Sequence, residues 1–406
     1  MLPRRVLIRL LGAAAAAAPM TAFVPFALAN AATDRRLVVV LLRGALDGLA
    51  AVPPYADPDY AAVRGALALP APGAADGALD LDGRYGLHPA LAPLHALYRA
   101  QELLVVHAVA SPYRSRSHFD GQDLLESGGA TPHGRRDGWL NRALGLMGGG
   151  DRRLGLAVGN GVPLILRGAT PVGSWAPQAM PAADGGFLEQ VALLYRGDPV
   201  LGPAIGAGIA AQRMTGEVLG GSGPMPSGRP RAGRDPALEA AAEAVGRLLA
   251  DPRGPRVAAL DVGGWDTHAG QGAATGRLAG RLGALAAGID ILKAGLGPAW
   301  RQTVVAIVTE FGRTAAPNGT GGTDHGTASV AFLAGGAVAG GRVVARWPGL
   351  TPDRLFEGRD LAPTMDMRAV LKGVLTAHLG VGKRETDSVI FPDSAGIRPF
   401  EPLLRA

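Results

Sequence analysis

Asp266 and His268 stand two residues apart in Gly263-Gly264-Trp265-Asp266-Thr267-His268. In an extended segment that spacing points both side chains the same way, so a carboxylate and an imidazole could share one ion. Asp324-His325, within Gly322-Thr323-Asp324-His325-Gly326, supplies the same two donor types, and Glu310 and Asp47 add carboxylates beside glycine-bearing turns. No cysteine is present, so a metal would have to be held by His, Asp and Glu. The candidate metal set is therefore Asp47, Asp266, His268, Glu310, Asp324 and His325. Four carboxylates in one pocket would repel one another unless cations sit among them.

Ser117-His118, preceded by Arg114 and Arg116, form a second group. Ser117 with Asp120 three residues later matches a capping box. The helix start it would cap is also a place where an anion could bind. Of the other histidines, His107 falls in a strand pattern and His95 and His378 in helical ones, so they are expected to pack; His88 and His133 receive no role.

These residues follow apolar runs that must position them. Leu37–Leu42, Leu103–Ala108, Val257–Leu260 and Val304–Val308 read as strands buried on both faces of a parallel sheet. Between them, Leu278, Leu282, Leu285, Ile289, Leu292 and Leu296 make one helical stripe. Asp235-Pro236 opens a helix expected to run to about Ala250, and another is expected over Pro89–Tyr98. Strands alternating with helices predict an α/β fold, and in such sheets ligands bind beyond the carboxyl ends of the strands. The glycine-rich stretch from Gly312 to Gly326 has no helical pattern, so it predicts an antiparallel return at Ser329 to Ala334. That return would bring Asp324 and His325 back to the edge carrying Glu310. Residues 217–234 read as a flexible insertion.

The chain has 406 residues, 48% of them hydrophobic, with 61 Gly and 32 Pro, which excludes a disordered protein and predicts a folded core. At the start, Arg4 and Arg5, an alanine-rich apolar run and Ala27-Leu28-Ala29 read as a twin-arginine export signal over residues 1–29. A membrane anchor is the alternative for that run, and the Ala-x-Ala end favours cleavage. The expected mature domain spans 30–406 and is periplasmic or secreted, with the twin-arginine translocase as its partner during export. Removing Arg4, Arg5 and Arg9 leaves 37 cations against 34 anions (40 − 3 = 37), so no nucleic-acid partner is expected.

The signal, Leu42-Arg43-Gly44-Ala45-Leu46-Asp47-Gly48-Leu49, Ser115-Arg116-Ser117-His118-Phe119, Gly264-Trp265-Asp266-Thr267-His268, Thr309-Glu310-Phe311-Gly312-Arg313-Thr314 and Gly322-Thr323-Asp324-His325-Gly326 together resemble an exported domain-of-unknown-function family placed in the alkaline phosphatase and sulfatase superfamily. The resemblance implies a three-layer α/β/α sandwich with a mostly parallel sheet, one or two divalent ions, zinc foremost, and hydrolysis of a small anionic phosphate or sulfate ester. It implies that Asp266, His268 and His325 hold one ion and that Asp47 and Glu310 belong to a second. Ser117, His118 and Arg313 become the catalytic candidates, with Ser117 or an activated water as nucleophile. The chain has Glu310-Phe311 where phosphatases carry Asp-His, so a metal- or partner-binding protein that has lost the chemistry is the alternative.

Overall fold

The computed structural model describes residues 33–148, 154–159, 161–176, 185–199, 201–219 and 233–405. The export-signal residues 1–29 lie outside these. So do residues 220–232 of the expected insertion, whereas Glu217, Val218 and Leu219 are the last turn of a helix.

The labelled strands are β1 (Arg36–Arg43), β2 (Leu103–Ala110), β3 (Gly155–Val158), β4 (Gly173–Trp175), β5 (Val257–Gly263), β6 (Thr303–Thr309), β7 (Ser329–Ala334), β8 (Arg342–Val344) and β9 (Met365–Asp366). The helices are α1 (Ala92–Arg99), α2 (His118–Ser127), α3 (Trp139–Leu146), α4 (Gly185–Leu194), α5 (Leu201–Leu219), α6 (Pro236–Ala250), α7 (Arg277–Leu296) and α8 (Met367–Ala377). Among the described residues, nine strands form one sheet in the order β8-β2-β7-β6-β1-β5-β3-β4, with β9 also paired to β2. All pairings are parallel except those of β7, which runs antiparallel to both β2 and β6.

The apolar runs are strands because they are covered twice. In β1, Val38, Val40 and Leu42 face one apolar cluster and Leu37, Val39 and Leu41 face another. The first cluster is closed by α1, α6 and α7, the second by α3 and α8, which makes the three-layer sandwich. All six residues of the α7 stripe are buried. Helix α7 is long and apolar enough to cross a membrane by composition, yet here that stripe packs against α6 and the sheet. The two helices approach closely where Gly246 meets Gly295: a β-carbon on Gly246 would lie 2.8 Å from the Leu292 carbonyl. Asp235 caps α6 by accepting from the amides of Ala237 and Leu238.

This topology places one edge. The parallel strands β1, β2, β5 and β6 end on the same side, and antiparallel β7 starts there, so the segments before and after them share that edge.

Candidate metal centre

Each predicted residue does lie at this edge, but they divide into an inner set and its supports. Asp266 and His268 follow β5, His325 precedes β7, and His118 opens α2 beyond β2. His268 Nε2 lies 3.0 Å from His325 Nε2 and 3.0 Å from an Asp266 oxygen, which is itself 3.2 Å from His325 Nε2. Donors around a tetrahedral zinc at about 2.0–2.1 Å stand about 3.3–3.4 Å apart, so this triangle is close to the size of one face of such a site. His118, Asp266 and His325 also offer donor atoms within 4.8 Å of one another, and His118 Nε2 is 3.5 Å from the second Asp266 oxygen.

The opposite ring nitrogens fix the tautomers. His118 Nδ1 bonds Glu310 Oε1 at 2.8 Å, His268 Nδ1 bonds Asp324 at 3.1 Å, and His325 Nδ1 bonds the Arg116 carbonyl at 2.9 Å. A carboxylate or carbonyl only accepts, so each Nδ1 carries its hydrogen and donates. The three Nε2 atoms turned toward Asp266 are then the ones available to a metal, the arrangement found around metal-binding histidines. His118 Nε2 is buried and has no hydrogen-bond partner among the described residues.

Glu310 and Asp324, expected among the ligands, lie behind two of the imidazoles and accept from their Nδ1 atoms. Glu310 is almost fully buried. Burial would push its carboxyl up, yet hydrogen bonds from His118, Gln122 and the Gly44 amide hold it below its ordinary value. The same Glu310 bond raises His118 against the opposing effect of burial. Asp324 is lowered chiefly by the Asn318 amide, despite some burial, with help from His268. His325 is lowered by burial, with His118 and Arg313 adding to the effect. Burial raises Asp266, and hydrogen bonding and charge from Arg313 outweigh it.

Asp47, also expected among the ligands, has other partners. Its carboxylate caps the one-turn helix Gly48–Ala51, pairs with Arg64 at 2.6 Å and accepts from Gln271 at 2.7 Å, so it is a buried anion with its own cation. Arg313 is the cation the crowded carboxylates required. It is 2% exposed, and three of its five N–H groups are placed within the fold: Nη1 to Asp266, Nε to the Thr323 hydroxyl at 3.1 Å, Nη2 to the Thr323 carbonyl. These bonds tie Arg313 to Asp266 and to the loop carrying His325, beside its expected catalytic role.

Ser117 is the N-cap residue of α2, but its side chain makes no capping bond. Its hydroxyl and its amide meet the phenol of Tyr113, and Asp120 accepts from that phenol at 2.9 Å instead of closing a capping box. Gly44, with φ of 119°, lets the chain pass the site: a β-carbon there would lie 2.6 Å from the Asp266 nitrogen. Of the remaining histidines, His107, His88 and His378 are buried and bond carbonyls, as packed histidines do. Gln271 went unnoticed in the sequence. It stands in an Ala-Gly-Gln-Gly-Ala-Ala stretch, where a lone amide among small residues was the available signal.

A mostly parallel α/β/α sandwich with a His/Asp cluster at its strand ends defines the class of this protein. The chain belongs to the family described as Protein of unknown function (DUF1501), which matches residues 104–390. Its structure is similar to that of a phosphonate monoester hydrolase of Agrobacterium radiobacter (14% identity, 86% of this chain and 74% of that one, TM-score 0.36). It is also similar to Ps i-CgsB in complex with k-i-k-neocarrahexaose (12% identity, 87% and 74%, TM-score 0.39) and to a 2-O GAG sulfatase (14%, 86% and 71%, TM-score 0.29). No curated protein sequence matches the chain significantly.

Proposed function

We propose that this protein is an exported metal-dependent hydrolase acting on a phosphate or sulfate ester, its ion held by Asp266, His268, His325 and His118. The observation that carries the reading is the convergence of three imidazole Nε2 atoms on one carboxylate while every Nδ1 hydrogen is taken up behind them. Two Nε2 atoms 3.0 Å apart cannot both carry hydrogens, so at least one lone pair is directed into the cluster. Imidazole and carboxylate donors without thiolate suit zinc. A bound divalent ion supplies Lewis acidity toward an anionic ester and acidifies water.

The chain's own residues do the rest. Glu310, Asp324 and the Arg116 carbonyl hold the three rings and their protons, and Arg313 neutralises one side of Asp266 from beneath. His268 and Asp266 are the most open members, with side chains 45% and 40% exposed, so the ester approaches from their side. Water is the better nucleophile than Ser117, because the group beside that hydroxyl is the Tyr113 phenol, which burial keeps protonated to higher pH. The motif resemblance to alkaline phosphatases and sulfatases supports the ester class, and Arg4-Arg5 with Ala27-Leu28-Ala29 supports export by the twin-arginine route.

The test is metal analysis of the purified mature protein with a screen of phosphate and sulfate esters before and after chelation. Bound divalent ion and chelator-sensitive hydrolysis are expected. Protein that takes up no divalent ion refutes the reading. Ion without hydrolysis selects the second reading, a metal-binding protein of the same fold, which the presence of four protein donors favours because they can fill a tetrahedron.

A further inference from the structure

Asp266 and His268 sit on the loop after β5 and His325 on the loop before β7; the two loops are paired through their backbones by the Thr323 amide on the Thr267 carbonyl at 3.1 Å and the Gln271 amide on the Gly321 carbonyl at 2.9 Å, and the side chains beneath that pairing decide how closely the donors meet. Gln271 lies beneath both and is fully buried. Its side-chain oxygen accepts from Thr267 at 2.7 Å and from Thr323 at 2.9 Å. Thr267 stands between Asp266 and His268, and Thr323 directly precedes Asp324-His325. We propose that Gln271 is a positioning residue that, from beneath this backbone pairing, fixes how the two donor-bearing loops sit against each other, and so the affinity of the centre for a divalent ion. The inference rests on the metal reading above.

The direction of the hydrogen bonds supports a clamp rather than incidental contact. Asp47 accepts only, so the Gln271 amide must turn its NH2 to Asp47 and its oxygen to the threonines. Both hydroxyls then donate to that one oxygen. Thr323, having spent its hydrogen, accepts from Arg313 Nε at 3.1 Å, and Arg313 in turn bonds Asp266. The chain from Asp47 to Asp266 is therefore polarised, with an anion fixing the amide at one end and a cation holding a donor at the other. Asp47 is kept in place by Arg64, which also donates to the Ala315 carbonyl at 2.9 Å. Buried networks of this kind are stiff because each lost bond strands a desolvated partner. This also gives Asp47 a part in the centre, two hydrogen bonds removed from the loops it steadies.

The experiment titrates full mature protein with zinc by calorimetry and with cobalt(II) by visible absorption. Gln271→Met keeps the volume and removes all three bonds, and Thr323→Val removes one of them from the opposite side. Loss of an orienting partner typically costs ten- to a hundred-fold in metal affinity, so weakening in that range and an altered cobalt spectrum are expected for both variants. Asn141→Ala is the control: Asn141 is buried and bonds Leu166 and Thr170 away from the centre, so it should lower Tm while metal affinity stays within two-fold. Wild-type affinity in Gln271→Met overturns the proposal. Should that variant not fold, wild-type affinity in Thr323→Val overturns it instead. Failure of the wild type to bind either metal overturns the metal reading itself, a separate outcome.

Discussion

Replacing Glu310 with Gln isolates one contribution to the centre, the negative charge behind His118. Glu310 Oε1 accepts from His118 at 2.8 Å, Gln122 at 3.1 Å and the Gly44 amide at 2.8 Å, and a glutamine oxygen can keep all three. The new NH2 would face Thr309, whose hydroxyl now lies 2.9 Å from Oε2 and 2.8 Å from the Leu42 carbonyl. A hydroxyl has one hydrogen; given to Leu42, it leaves a lone pair for the amide. The variant should therefore fold with the ring in place, and only ligand basicity should fall. The expected loss is ten- to a hundred-fold in zinc affinity, or about 1.4–2.7 kcal/mol. In the ion-free protein, Glu310 raises His118, so that pairing contributes stability present below the ordinary histidine value of about 6.5 and lost as pH rises through the raised one. The Glu310→Gln substitution should abolish this window. Zinc calorimetry and imidazole NMR titration check the two halves. Affinity within two-fold of wild type, with an unmoved His118 titration, would refute the account of Glu310 as the group that charges the histidine.

Removing His268 or His325 by alanine should cost at least ten-fold in zinc affinity, whereas His378→Ala should lower Tm and leave zinc binding unchanged, because His378 is buried against the Arg36 carbonyl. Calorimetry beside thermal melts distinguishes them. Arg64→Ala strands the buried Asp47 carboxylate, and a loss of about 3–5 kcal/mol is expected in urea unfolding; a loss below about 1 kcal/mol would contradict a buried ion pair. His107 and His378 are each held down to about 4 by burial, so both fold as neutral rings. Their contribution is complete above about 6.5 and is lost as pH falls toward 4, on the order of 3 kcal/mol per group, measurable by unfolding at stepped pH in His107→Gln against wild type.

Most of the frame was legible because it depends on one-dimensional patterns. Continuous apolar runs marked β1, β2, β5 and β6, the α7 stripe marked the helix that covers them, and a glycine-rich stretch too irregular for a crossover marked the reversal into β7. Once those strands were aligned, Asp266, His268 and His325 had to share an edge. What each carboxylate does there was not legible. Asp47, Glu310 and Asp324 are chemically equivalent to Asp266 in a sequence, and only side-chain direction separates a carboxylate that faces the imidazole Nε2 atoms from one that accepts a hydrogen bond on a ring's far side or lies elsewhere. His118 was singled out as catalytic rather than as a donor, because its distance from Asp266 depends on how the segment from Ser111 to Ser117 turns, with Arg116 at a φ of 61°. The capping box failed for the same reason: Tyr113, folded back over the helix start, outcompetes the local pairing of Ser117 with Asp120.

The position of β1 in the middle of the sheet has a consequence for synthesis. Its two neighbours begin at Val257 and Thr303, which leave the ribosome 214 and 260 residues after Arg43 (257 − 43 and 303 − 43). At about 5–20 residues per second, an apolar strand waits roughly 10–50 s with neither edge paired. No truncated nascent chain can hide it, since the segments that do so are encoded in the last two fifths of the protein. The first of these strands to be made is thus committed only when β5 and β6 emerge, and the Asp266 and Glu310 segments that follow those strands come to the edge with it.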